Sequence, residues 1–124
     1  MAIAIGTDIV EIARLQDTVS RQGIKFVRRI LCVNEQEQYQ LKSTGTAFLA
    51  KRFAAKEAIA KALGTGIGNG VSFQDIEIFN NSKGAPQVKL TGGAAEVLKA
   101  LSGTRVLLSL SDEKDYALAF AMIV

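Results

Sequence analysis

The stretch from Phe48 to Leu63 constrains this chain most, because apolar residues occupy almost every angle around a helix drawn through it. A helix that is apolar on all sides is a buried one. The remaining elements must therefore wrap around it. The same stretch carries Lys51, Arg52, Lys56, Glu57 and Lys61, and an isolated buried charge is costly unless a partner, metal or ligand offsets it.

Around that centre the chain reads as short elements separated by clear breaks. Ala2 to Ile9 is an apolar, β-branched run that predicts a strand ending near Asp8. Ile12, Leu15 and Val19 recur at helical spacing before Gly23, and Ile24 to Leu31 forms a second short helix. Asn34 with Glu37 has the form of a capping box and opens a third helix through Leu41. A polar loop is expected over 42–46. Beyond the central helix, Gly64, Gly66, Gly68 and Gly70 make a Gly-rich connection. Phe73 to Phe79 and Gln87 to Leu90 pair as a hairpin through the turn at 80–86, and Gly92 to Leu101 is a helix. Two strands, Val106 to Ser111 and Tyr116 to Val124, flank a turn, and the last is apolar on both faces and so should be covered on both sides. The order β-α-α-α-α-β-β-α-β-β predicts an α+β fold with an antiparallel sheet packed on a long central helix.

With 124 residues and no linker-like segment, one domain spanning 1–124 is expected. Hydrophobic residues make up 48% of the chain, a surplus for so small a domain that a subunit interface would absorb. The opening run MAIAIGTDIVEI lacks a basic leader and is interrupted by Asp8 and Glu11. It is read as neither signal peptide nor membrane span, and a cytoplasmic address is expected. One cysteine, Cys32, excludes an internal disulfide and is read as a small buried hydrophobe.

Histidine is absent, which removes Ser-His-Asp and Cys-His catalysis and His-ligated zinc. Chemistry must rest on carboxylates, lysines, backbone groups or a hard metal. A net charge of +3 and a pI of about 9.2 favour an anionic partner. A small nucleic-acid-binding module is one such reading, yet aromatics are only 6%, Trp is absent and no RNP, KH or zinc-finger pattern occurs. A separate reading, with no such partner, is a purely structural trimer in which Glu57 pairs with lysine.

Four segments, GTDIVEIARL at 6–15, FLAKRFAAKEAIAKALGTGI at 48–67, FQDIEIFNNSKGAPQVKL at 73–90 and SLSDEKDYALAFAMI at 109–123, resemble the holo-acyl-carrier-protein synthase family of phosphopantetheinyl transferases. The likeness runs over nearly the whole chain, and the composite of the first two segments is its specific part. It implies transfer of phosphopantetheine from coenzyme A to a serine of an acidic apo-acyl-carrier protein, in support of fatty acid biosynthesis, by a homotrimer with sites between subunits. No nucleic-acid or membrane partner is implied.

The resemblance makes Asp8 and Glu57 the catalytic Mg²⁺ ligands, and two carboxylates suit that ion, which keeps several waters and takes substrate phosphate oxygens. It also places Arg52, Phe53, Lys56 and Lys61 at coenzyme A, with Gly64 and Thr65 at the nucleotide and Gly84, Pro86 and Ser109 beside the coenzyme. Arg14, Arg21, Lys25 and Arg28 form the implied docking strip for the carrier. Plainer readings stand beside these: Glu57 pairs with Lys61 at i+4, Asp8 caps a helix or makes a turn, Gly84 and Pro86 make a turn, and Ser109 is an ordinary sheet residue. Many relatives have a histidine in the last segment where this chain has Asp112.

Overall fold

The computed structural model describes residues 1–41 and 45–124. Strand β1 (Ala4–Glu11) runs three residues past Asp8, because the final strand β5 (Tyr116–Ile123) offers it an antiparallel partner as far as Glu11. Strand β4 (Val106–Asp112) pairs with the other edge of β5, giving the order β1-β5-β4. β2 (Ile76–Asn80) and β3 (Pro86–Leu90) form a separate antiparallel hairpin. The expected antiparallel sheet is thus divided in two. Phe73 to Asp75, expected to begin β2, instead forms a 3-10 turn closed by a reciprocal Ser72–Asp75 capping box.

Helices α1 (Ile12–Gln22) and α2 (Ile24–Ile30) are separated by Gly23, whose φ of 68° is open to glycine and strained for other residues. Helix α3 (Val33–Leu41) does not use the Asn34–Glu37 box. Glu35 reaches back instead to the Cys32 amide at 2.7 Å, while the Asn34 amide donates to Glu77. The loop expected over 42–46 lies outside the described residues at 42–44, and Gly45 and Thr46 already belong to helix α4 (Gly45–Ala62). Helix α5 (Gly92–Ala100) completes the set.

α4 is buried nearly all round, as its composition requires, with Leu49, Ala54, Ala55, Ala58 and Ile59 at 0% exposure. Against it lie Ala117, Ala119, Ala121 and Ile123 of β5, which alternate with outward residues. Small side chains let helix and sheet approach closely. At Gly6 the approach leaves no room at all, since a Cβ there would stand 2.1 Å from the Ala58 carbonyl oxygen.

The opposite face of the sheet is left open by the described residues. Register aligns Ile5, Met122 and Leu107 in one row, Thr7, Phe120 and Ser109 in the next, and Ile9, Leu118 and Ser111 in a third. Ile5, Ile9, Leu107 and Leu118 are exposed. The expectation that β5 is covered on both sides therefore holds on one side within the chain, the side that α4 packs against.

Candidate active site

Asp8 belongs to the inward row of β1, so its carboxylate points to the side occupied by α4. There Glu57 and Lys61, one helical turn apart, meet it. The three line a cavity of about 500 Å³ together with Glu11, Arg14, Leu15, Thr18, Phe26 and Phe53. Lys61 Nζ donates to Asp8 Oδ1 at 3.0 Å and to the Thr7 carbonyl at 3.0 Å. Asp8 is therefore neither a turn residue nor a cap, since α1 is preceded by Glu11 without a side-chain cap. Glu57 carries the electrostatic signature of the site: burial, then the Asp8 charge, push its carboxyl above the ordinary value, with Lys61 opposing. Two carboxylates that repel each other over one cleft are a donor set a hard cation would relieve. Among the described residues no cluster of three or more His, Cys, Asp or Glu side chains forms a further metal site. Phe53 is the apolar wall, in ring contact with Phe26 and Phe73.

A second cavity, of about 420 Å³, opens at the other end of α4 and is lined by Phe48, Lys51, Arg52, Asn80, Gly84, Pro86 and Asp112. Arg52 is almost wholly buried, and among the described residues its Nε and Nη2 have no hydrogen-bond partner. Its guanidinium lies 4.6 Å from the centre of the Phe48 ring. Burial pulls the group below its ordinary pKa, and the Glu35 charge opposes that shift. Lys51 reaches Asp112 at 3.6 Å across the mouth. Gly84 makes the turn before β3 with a φ of 85°, Pro86 is the first residue of β3, and both line this cavity.

Lys56 does not reach either cavity. Its ammonium is fully buried and donates to Glu35 Oε1 at 2.6 Å, the Ile30 carbonyl at 2.7 Å and the Phe73 carbonyl at 3.2 Å. An ammonium has three protons, so none is left for a phosphate. The sequence assignment of Lys56 to coenzyme A is corrected accordingly. Gly64 and Thr65 follow the end of α4 and line neither of the two cavities. Ser109 points away from α4, into the uncovered sheet face beside Phe120 and Met122.

Of the basic residues, Arg14 borders the carboxylate cavity, whereas Arg21 pairs with Asp17 at 3.3 Å in solvent. Lys25 and Arg28 are exposed on α2, beyond the break at Gly23. Cys32 is half-buried, and burial pushes its thiol up to about 11, which disfavours the thiolate. Sequence reasoning missed Glu35 and the cavity roles of Glu11, Lys51 and Asn80. For Glu35 the one available signal was its place at the third position of α3, where an acidic side chain can reach back to the preceding amide.

The 4'-phosphopantetheinyl transferase superfamily model matches residues 4–121. The holo-[acyl-carrier-protein] synthase of Shewanella sediminis is 51% identical over 130 residues, covering 99% of this chain and 98% of the relative. The crystal structure of holo-[acyl-carrier-protein] synthase from Neisseria meningitidis superposes with a TM-score of 0.93 at 40% identity, covering 100% of this chain and 99% of that one. The Helicobacter pylori holo-[acyl-carrier-protein] synthase in complex with coenzyme A gives a TM-score of 0.85 at 34% identity, over 97% of this chain and 99% of that one. The chain belongs to the 4'-phosphopantetheinyl transferase superfamily and, within it, to the holo-[acyl-carrier-protein] synthase family of enzymes.

Proposed function

We propose that this chain transfers the 4'-phosphopantetheine arm of coenzyme A to a serine of an apo-acyl-carrier protein, releasing 3',5'-ADP and supporting fatty acid biosynthesis in the cytoplasm. The observation that carries the reading is the meeting of Asp8 and Glu57, from a strand and a helix distant in sequence, over one cavity that also holds Lys61 and Arg14.

Asp8 and Glu57 are the residues that would hold Mg²⁺, which supplies charge neutralisation at the phosphate under attack and at the departing 3',5'-ADP. The attacking hydroxyl belongs to the carrier. Its oxygen forms a bond to the phosphorus nearest the pantetheine, and the bond from that phosphorus to the bridging oxygen breaks. The electron pair leaves on 3',5'-ADP. The serine proton must pass to a base at the same cavity, for which Glu57 is the side-chain candidate. Lys61 and Arg14 face the same cavity as cations for the phosphates. Arg52, Gly84 and Pro86 hold a more remote part of the coenzyme in the second cavity, and Gly64, Thr65 and Ser109, which line neither cavity of their own chain, meet the coenzyme where subunits adjoin.

The sites are completed between subunits of a homotrimer of one-domain chains. The uncovered apolar rows on the outer sheet face support that assembly. Arg14, Arg21, Lys25 and Arg28, all exposed, form the docking surface for the acidic carrier. No helix among the described residues is long and apolar enough to cross a membrane.

The test is intact-mass analysis of an apo-acyl-carrier protein incubated with this chain, coenzyme A and Mg²⁺. One phosphopantetheine should be gained, and the gain should vanish with Glu57→Gln and with a chelator. No gain on several carriers would overturn the reading.

A further inference from the structure

A buried polar network behind α4 has no part in the chemistry above. Its hub is Glu35, at 0% exposure. Oε1 accepts from Lys56 Nζ at 2.6 Å and from the Cys32 amide at 2.7 Å, and Oε2 accepts from the Ile78 amide at 2.9 Å. Arg52 Nε lies 3.8 Å from the same Oε2. One carboxylate therefore faces two buried cations.

The two cations are not equivalent. Lys56 spends its protons on Glu35 and two carbonyls, whereas Arg52 keeps two N–H-bearing nitrogens without an acceptor while lining the cavity of Lys51, Gly84 and Pro86. A cluster with one surplus positive charge, buried and short of acceptors, is costly unless an anion completes it. The arrangement stores that demand at one wall of the cavity. Glu35 meets Arg52 Nε through Oε2, which the Ile78 amide already holds. With Oε1 engaged by Lys56 and the Cys32 amide, the carboxylate is a fixed counter-charge for the guanidinium.

We propose that Glu35 is a positioning residue for coenzyme A: held by Lys56, Cys32 and Ile78, it braces the buried Nε side of Arg52 so that the part of the side chain lining this cavity meets a phosphate of the coenzyme. The proposal rests on the transferase reading and on Arg52 as a coenzyme contact. The cavity is distinct from that of Asp8 and Glu57, so this phosphate is not the one attacked. Glu35 thereby acts on binding and not on the chemical step.

The test is a double-mutant cycle between the Glu35/Lys56 pair and Arg52, read in coenzyme A affinity by calorimetry and in KM and kcat. Glu35→Gln with Lys56→Met removes one charge of each sign and leaves no buried ammonium unpaired. It should raise Kd and KM for coenzyme A about tenfold, the size of one misaligned charge-assisted hydrogen bond, with kcat within about threefold. Arg52→Gln should do the same, and adding it to the pair variant should change little further. Independent, multiplying effects, or an unchanged Kd in the pair variant, would overturn the proposal in favour of a purely structural buried pair. If the pair variant does not fold, Glu35→Asp keeps every charge but withdraws the carboxylate. An unchanged Kd there overturns the proposal equally. A wild-type chain that binds coenzyme A but modifies no carrier would sink the transferase reading while leaving this cycle readable.

Discussion

Lys61 holds Asp8 through a 3.0 Å contact that ties the last turn of α4 to the middle of β1. An ammonium thus occupies one oxygen of a carboxylate that a metal would also want. Exposed pairs of this kind contribute roughly 0–1 kcal/mol, so the competition is modest and measurable. Lys61→Met should tighten Mn²⁺ or Mg²⁺ binding to the coenzyme-free protein by about two- to fivefold, by calorimetry. It should also lower kcat/KM for coenzyme A, since the proposed phosphate contact is lost. Weaker metal binding in the variant would show that Lys61 supports the metal site and does not compete for it.

The raised pKa of Glu57 makes stability depend on pH in a stated direction. Its folded pKa lies above the ordinary 4.5, so the folded chain binds that proton more tightly than the unfolded one. The contribution is complete below pH 4.5 and is lost as pH rises through the raised value. Thermal midpoints in metal-free buffer should therefore fall across this window more steeply for wild type than for Glu57→Gln. Added Mg²⁺ favours the charged form and should flatten the difference. Parallel curves for the two proteins would refute the assignment.

Gly6 sets the spacing on which the carboxylate pair depends. A Cβ there would meet the Ala58 carbonyl oxygen at 2.1 Å and the Ala62 nitrogen at 2.7 Å, both backbone atoms that cannot rotate away. Gly6→Ala should destabilise by about 1–3 kcal/mol, seen as a lower denaturation midpoint. It should also weaken metal-dependent activity at temperatures where the protein is still folded, because β1 carries Asp8 away from Glu57. Full activity in the folded variant would separate the packing from the site.

The carboxylate pair was legible through the resemblance carried by the segments at 6–15 and 48–67, since Asp8 and Glu57 taken singly read as a turn or cap residue and an i+4 ion pair. Local rules failed where distant partners decided. Asn34 and Glu37 satisfy a capping-box pattern, yet Glu35 took the cap, since Lys56 and the Ile78 amide hold it inward from elements 21 and 43 residues away. Lys56 looked like a phosphate ligand for the complementary reason: three acceptors from α2, α3 and the 3-10 turn are invisible from its own helix. β1 ran past Asp8 because β5 offered it hydrogen bonds as far as Glu11. The uncovered sheet face was foreshadowed by the doubly apolar last strand, whose second face this chain leaves open.

Arg52 and Glu57 share α4 but are five residues apart, which turns their side chains roughly 140° from each other about the axis. One helix is therefore a party wall between two rooms. If each reaction centre takes its carboxylates from one chain and its guanidinium from the next, neither defect is confined to the chain that carries it. Inactive Glu57→Gln and weakly binding Arg52→Gln, unfolded together and refolded as mixed assemblies, should then exceed the rate of Arg52→Gln alone at coenzyme A well below its KM, because some centres draw both intact groups. Separately refolded preparations mixed afterwards should show no such gain. No gain in either case would place each whole centre within a single chain.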